Sequence, residues 1–238
     1  MTDLIRQSPS QQHQVLARQR HWWRWAAAIA ATILVLGVAG VFVALKIFIG
    51  PTPAPLALPP LSSGGAGTSS SSIDGTWMVG SGSLAGYRAG EDFLWQHSSV
   101  VGRTSGVTGT VVIANTQVSS ASFRVDLTTV TANGKTQPQF AGILDTKSYP
   151  AATFTLTAPI VASTVPTINK AFTATATGLL AMHGVTRPVT FELTARYSGS
   201  VLEEAGSIPV VFSNWNIKGP GWPLQSHGVV EFLLVMHR

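Results

Sequence analysis

From residue 189 to 197 every second position is apolar. Val189, Phe191, Leu193, Ala195 and Tyr197 alternate with Thr190, Glu192, Thr194 and Arg196. Successive side chains leave a strand on opposite faces, so this period predicts a strand with one apolar and one wet face. The same period recurs where Phe123, Val125 and Leu127 alternate with Arg124 and Asp126, and where Phe154 and Leu156 alternate with threonines. Strands are predicted over 76–79, 107–113, 119–127, 152–157, 172–182, 185–197, 207–213 and 229–237. His183-Gly184 fits a two-residue hairpin turn between two of them, because glycine tolerates positive φ. Pro188 lies early in its strand, where a missing N–H does least harm. Residues 138–144 predict one short helix with Phe140, Ile143 and Leu144 on one side. About eight strands joined by short turns predict an all-β, antiparallel meander, closed as a barrel or folded as a sandwich. No β-α-β rhythm is present, which argues against a parallel sheet.

The N-terminal segment follows a different pattern. Residues 25–45 form a run of 21 positions without a charge. About 20 apolar residues in a helix cross a bilayer's hydrocarbon layer. Trp22, Trp23 and Trp25 lie at one end, where indoles favour the headgroup region, and arginines flank that end. By the positive-inside rule, residues 1–24 are expected as a basic cytoplasmic segment and 25–49 as a transmembrane helix, with the remainder exported. A cleaved signal peptide is the alternative; its apolar core is usually shorter and ends at a small-x-small site, and no clean Ala-x-Ala follows here. Residues 50–73 are Pro-rich and then Gly/Ser-rich, and are expected as a disordered linker that holds the domain off the membrane. Residues 74–238 remain as the folded domain.

Charge sharpens this division. The net charge of +5 is concentrated at the N-terminus: residues 1–50 carry five Lys or Arg and one acid, residues 51–238 ten and nine. The folded part therefore lacks the basic excess of a nucleic-acid-binding domain. The absence of cysteine excludes disulfides, thiolate metal sites and a cysteine nucleophile.

Groups suited to catalysis are scattered. His97, His183, His227 and His237 show no metal-ligand spacing and read as separate turn or surface residues. The stretch "GSGSLAG" at 80–86 lacks the strand-turn-helix context of a nucleophile elbow. Glu91-Asp92 and Glu203-Glu204 fall in expected loops, where acids are solvated. No cofactor, no metal site and no enzymatic activity are expected. What stands out instead is the shared apolar face. Phe123, Val125, Phe154, Leu156, Phe191, Leu193, Val210 and Phe212 are expected to point inward. A closed sheet of about eight strands either fills with its own side chains or holds one slender ligand, and periodicity alone leaves both open.

Several stretches together resemble the YceI-like family of lipocalin-like barrels associated with polyisoprenoid binding: "GTWMV", "GYRAGE", "VGRTSGVTGTVVI", "ASFRVDLTTVTANG", "LDTKSYPAATFTLT", "ATGLLAMHGVTRPVTFELTARY", "GSIPVVFSNWNIKGP" and "GVVEFLLVMHR". The resemblance implies an eight-stranded lipocalin-like barrel with one short helix and a lengthwise apolar tunnel. It implies a guest such as a quinone side chain or a polyprenyl lipid, held by the inward residues above and by Phe140. Many relatives carry an Arg-Asp pair before the short helix, where this chain has "TANGKTQPQF" with Lys135 alone. Tyr87, Arg88 and Lys135 are expected as head-group contacts at a tunnel mouth. The expectation is thus a single-pass, membrane-tethered extracytoplasmic carrier of a long-chain isoprenoid. A filled barrel acting as an interaction module, with Trp95, Trp215 and Trp222 exposed in loops, is the first alternative. An enzyme acting on a lipid or cell-wall precursor is the second.

Overall fold

A computed structural model of the chain describes residues 32–34, 52–61, 72–93, 96–132, 135–136, 138–161, 167–218 and 224–238. Residues 32–34 are helical. The remainder of the expected span at 25–49, the segment before it, and residues 62–71 of the expected linker lie outside the described residues. Among the described residues no helix is long and apolar enough to cross a membrane.

The strands are β1 (Gly75–Val79), β2 (Leu84–Phe93), β3 (Gln96–Thr104), β4 (Val107–Ala114), β5 (Gln117–Asp126), β6 (Thr131–Ala132), β7 (Lys135–Thr136), β8 (Ala151–Leu156), β9 (Ile160–Val161), β10 (Ala171–Met182), β11 (Val185–Tyr197), β12 (Val201–Val211) and β13 (Leu224–His237). One short helix, α1 (Pro138–Ile143), precedes β8. The ladder runs β1-β4-β5-β8-β10-β11-β12-β13, and β13 returns to β1 with Met78 opposite His237 and Val79 opposite Met236. The result is a closed, antiparallel, eight-stranded barrel. β2 and β3 extend β1 and β4: β13 pairs with β2 beyond a break at 80–83, and β2 pairs with β3.

Alternation places the faces as the period requires. Phe191, Leu193, Ala195 and Tyr197 of β11 are buried, and Val230, Phe232, Leu234 and Met236 of β13 pack in the same interior. β10 and β11 form a hairpin from Ala171 opposite Arg196 to Met182 opposite Val185. Its turn has His183 at φ 50° and Gly184 at φ 74°, the left-handed pair of a type I′ turn.

The hairpin β2–β3 is absent from the strands that the sequence predicts. Its glycines conceal it, and they are there for close approach. A Cβ at Gly86 would lie 2.0 Å from the Gly102 carbonyl oxygen, and one at Gly102 would lie 2.5 Å from the Tyr87 ring. Glycine weakens a strand signal at the positions where this sheet needs contact.

The linker expectation also requires correction. Residues 52–61 are not a free spacer; they form a strap along the outside of the barrel. Arg88 Nη2 donates to the Pro53 carbonyl at 2.8 Å, Arg103 Nη2 donates to that of Ala54, and Arg196 Nη2 donates to that of Pro59 at 2.8 Å. The Leu56 N–H donates to Glu231 Oε2 at 3.4 Å. Leu56 and Leu58 are half-buried. A segment with too little apolar surface to fold alone is held through its carbonyls, which its prolines leave without helical or sheet partners.

Candidate functional site

Three apolar cavities lie along the barrel interior. The central one has a volume of about 90 Å³ and is lined by Phe123, Val125, Phe154, Leu156, Phe191 and Leu193, together with Ala85, Ala121, Ala176, Leu180, Ile208, Val230, Phe232 and Leu234. A second, of about 70 Å³, lies toward α1 between Tyr87, Ala89, Phe140, Ile143, Leu144, Met182, Val210, Phe212 and Ile217. Val230 borders both. A third, of about 40 Å³, lies on the other side, between Ile73, Ile113, Thr116, Phe172, Ala174 and Leu202. It shares Val118, Ile160, Leu193 and Glu204 with the central one. All nine tunnel residues expected from the sequence thus line a cavity.

The room comes from small residues. Ala85, Ala121 and Ala176 face the lumen beside phenylalanines, so the rings do not meet across it everywhere. Phe154 and Phe191 meet edge-to-face with centroids 5.4 Å apart, and Phe191 and Phe232 do so at 5.8 Å.

The two ends differ. Beyond the third cavity Trp77, Leu202 and Met236 are almost completely buried and close the barrel. Trp77 Nε1 donates to the Ile73 carbonyl at 2.8 Å, its ring meets Tyr197 edge-on at 5.7 Å, and the Arg238 guanidinium lies 4.7 Å from its centroid. At the other end α1 lies over the second cavity, with Phe140 5.3 Å from the Tyr87 ring. The wall also has a seam. Among the described residues β8 pairs with β10 from Gly178 to Ala181, and Thr157 N and Oγ1 both donate to the Thr177 carbonyl. Phe172 and Ala174, on the half of β10 that has no β8 partner among the described residues, line the third cavity beside Ile160 of β9.

The expected head-group contacts separate. Tyr87 faces the second cavity, and its hydroxyl is buried without a hydrogen-bond partner among the described residues. Burial pushes its ionisation well above the usual tyrosine range. Arg88 points the opposite way. It lies on the outer wall, with Nη2 3.5 Å from Glu231 Oε2, and holds the strap rather than a tunnel mouth. Adjacent residues of one strand cannot both face the lumen. Lys135 is exposed on β7 and borders none of the three cavities. Trp215, expected to be exposed, is only 3% exposed in a 3-10 turn, where Nε1 donates to the Leu180 carbonyl at 3.5 Å. Trp95 and Trp222 lie outside the described residues. His183 Nδ1 lies 3.0 Å from the Trp215 carbonyl oxygen, and His227 and His237 are exposed. Among the described residues no cluster of three or more potential metal ligands forms.

Both acidic pairs, expected in loops, are on strands. On β2, Glu91 accepts from Ser98 Oγ at 3.2 Å and Asp92 from Gln225 Nε2 at 3.0 Å. On β12 the pair divides. Glu203 faces out and accepts from Arg196 Nε at 2.8 Å. Glu204 faces in, is 8% exposed, and lines both the central and the third cavity. Burial pushes its carboxyl up to about 7. The signal was present in the period: Leu202, Glu204, Gly206, Ile208 and Val210 share one face.

The comparisons agree with this architecture. The YceI-like domain matches residues 69–234. A polyisoprenoid-binding domain of Saccharophagus degradans, implicated in plant cell wall breakdown, superposes with a TM-score of 0.53 at 14% identity, over 68% of this chain and 97% of that one. BcnA of Burkholderia cenocepacia superposes with a TM-score of 0.51 at 22% identity, over 63% of this chain and 95% of that one. No curated protein is matched by the chain. The matched segment takes in most of the chain and nearly all of the closed barrel, and the chain belongs to the YceI-like family.

Proposed function

We propose that this protein binds and carries a long-chain isoprenoid or similar lipid in its barrel, tethered to the outer face of the cytoplasmic membrane by residues 25–49. The single observation that carries this reading is the line of apolar cavities between the Trp77 plug and α1. An apolar cavity stays dry and accepts a hydrocarbon, because burying apolar surface stabilises by roughly 25 cal/mol per Å². The polyisoprenoid-binding domain among the structural neighbours supports the same class of guest. The cavities are small individually, so a chain of several isoprene units joins them by turning side chains such as Phe191 and Val230. Tyr87, whose hydroxyl has no hydrogen-bond partner among the described residues, lines the wall of this path toward α1. The span and its basic N-terminal flank support a cytoplasmic N-terminus and an extracytoplasmic barrel.

The test is organic extraction of the full-length protein purified from its native membrane, followed by mass spectrometry. A stoichiometric isoprenoid is expected. An extract free of lipid, together with no uptake of added farnesol, overturns the carrier reading and leaves a barrel that acts through its surface.

A further inference from the structure

Glu204 is the one carboxylate among the described residues that lines the three cavities. It projects from the middle of β12, between Ala195 of β11 and Leu234 of β13, at the junction of the central and third cavities. No hydrogen bond or ion pair reaches its carboxyl from the described residues. The other buried glutamate, Glu231, faces outward and is held by Arg103 at 2.8 Å and Arg88 at 3.5 Å. A buried carboxyl without a partner costs free energy, whereas one that gains a partner from a bound molecule recovers it. The rest of the cavity wall is almost wholly apolar, so it offers no other strong anchor for a polar atom.

We propose that Glu204 is the specificity-determining residue of the tunnel, selecting a hydrocarbon guest that carries a free hydroxyl. This rests on the carrier reading above and adds to it the chemistry of the guest. An alcohol or phenol O–H donates to the carboxylate oxygen; if the carboxyl is protonated, the same hydroxyl accepts from its O–H. A plain hydrocarbon of the same shape leaves the carboxyl unpaired in either form, and an ether, which has no O–H to give, leaves the carboxylate unpaired. The hydrocarbon part runs from Glu204 through the central cavity past Phe191 toward Val230. The seam at Phe172 and Ala174 lies beside the carboxyl end of this path. Selection by a buried hydrogen-bonding group is strong, because the wrong guest forfeits the bond and still desolvates the carboxyl.

The experiment is calorimetric titration, at about pH 9 where Glu204 is ionised, of the full-length, delipidated protein with farnesol, farnesyl methyl ether and the saturated hydrocarbon farnesane, repeated on Glu204→Leu and Glu204→Gln. Wild type is expected to prefer farnesol to both analogues by about tenfold or more. Glu204→Leu is expected to bind all three alike, and Glu204→Gln, whose amide donates to an ether oxygen as well as to a hydroxyl, to favour farnesol and the ether over farnesane. A wild-type protein that binds the three equally overturns the role of Glu204 while leaving the carrier reading in place, and so does an undiminished preference in Glu204→Leu. Binding of none of them overturns both.

Discussion

Arg103 grips Glu231 through two nitrogens, with Nε 3.0 Å and Nη2 2.8 Å from the same carboxylate oxygen. The pair is on the outer wall, yet Glu231 is only 2% exposed. Residues 52–61 cover it, and both the carboxylate and the two arginines beside it bond to the strap. An ion pair enclosed in this way is stabilising only while complete, because removing one partner strands the other away from water.

Glu231→Ala is therefore expected to lower stability by about 3 kcal/mol, read from urea unfolding. Arg196→Ala, which loses the Pro59 contact, is expected to cost less, about 2 kcal/mol, because the Glu203 side chain it leaves is 16% exposed and reaches water where that of Glu231, at 3%, does not. Equal losses for the two variants would show that Glu231 is not the clasp of the strap.

Stability is expected to depend on pH through Glu204. Its carboxyl titrates near 7 in the folded protein, raised by burial from the ordinary 4.5. Below about pH 4.5 both folded and unfolded chains hold the proton and the site contributes no slope. Between 4.5 and 7 the unfolded chain gives up its proton first, so stability falls as pH rises. Above about 7 the loss is complete, on the order of 3 kcal/mol. Glu204→Gln is expected to stabilise the protein at pH 8, and to flatten the wild-type decline between pH 4.5 and 7. Parallel pH profiles for the two proteins would place the charge in contact with water.

The period-2 stretches were legible because each residue reports its own face. Phe191 and Leu193 point inward for the same reason that Glu192 and Arg196 point out, and the order of the hairpins followed. The β2–β3 hairpin was not legible, because Gly86 and Gly102 are chosen for a contact made only after the sheet forms. Glu204 was hidden by its neighbour: two adjacent acids look like a wet loop, yet on a strand they face opposite sides. The strap was hidden because its partners, Arg88, Arg103, Arg196 and Glu231, are far away in sequence. The cavities themselves depend on how alanines and phenylalanines oppose one another across the barrel, which no single strand records.

The turn at His183-Gly184 yields a local test. Gly184 has φ 74°, and a Cβ there would lie 2.7 Å from the Tyr149 ring. Gly184→Ala is expected to cost about 1–2 kcal/mol, from left-handed strain and displacement of that ring. His183→Asn, which suits the left-handed position, is expected to cost less than about 0.5 kcal/mol. Thermal unfolding of both variants checks the order. The reverse order would mean that the His183 contact to the Trp215 carbonyl, rather than the backbone, holds the hairpin.

Blocking the lumen tests occupancy without removing any polar group. The Phe154 ring packs over Gly178, where an added Cβ would lie 2.4 Å from its Cζ, so a larger side chain at 154 cannot grow toward β10. The free volume lies on the other side, in the central cavity of about 90 Å³ beside Phe191. Phe154→Trp therefore extends its second ring into the space assigned to the guest. Overpacking a filled core costs about 1–3 kcal/mol, but here the added atoms enter a void, and the change is expected to stay within about 1 kcal/mol. Farnesol uptake is expected to fall at least about tenfold, because the guest must displace an indole rather than enter empty space. Phe191→Trp repeats the test from the facing strand. Unchanged stability with unchanged uptake in both would place the guest outside the barrel interior, and a large loss of stability in both would show that the cavity is not free to receive added atoms.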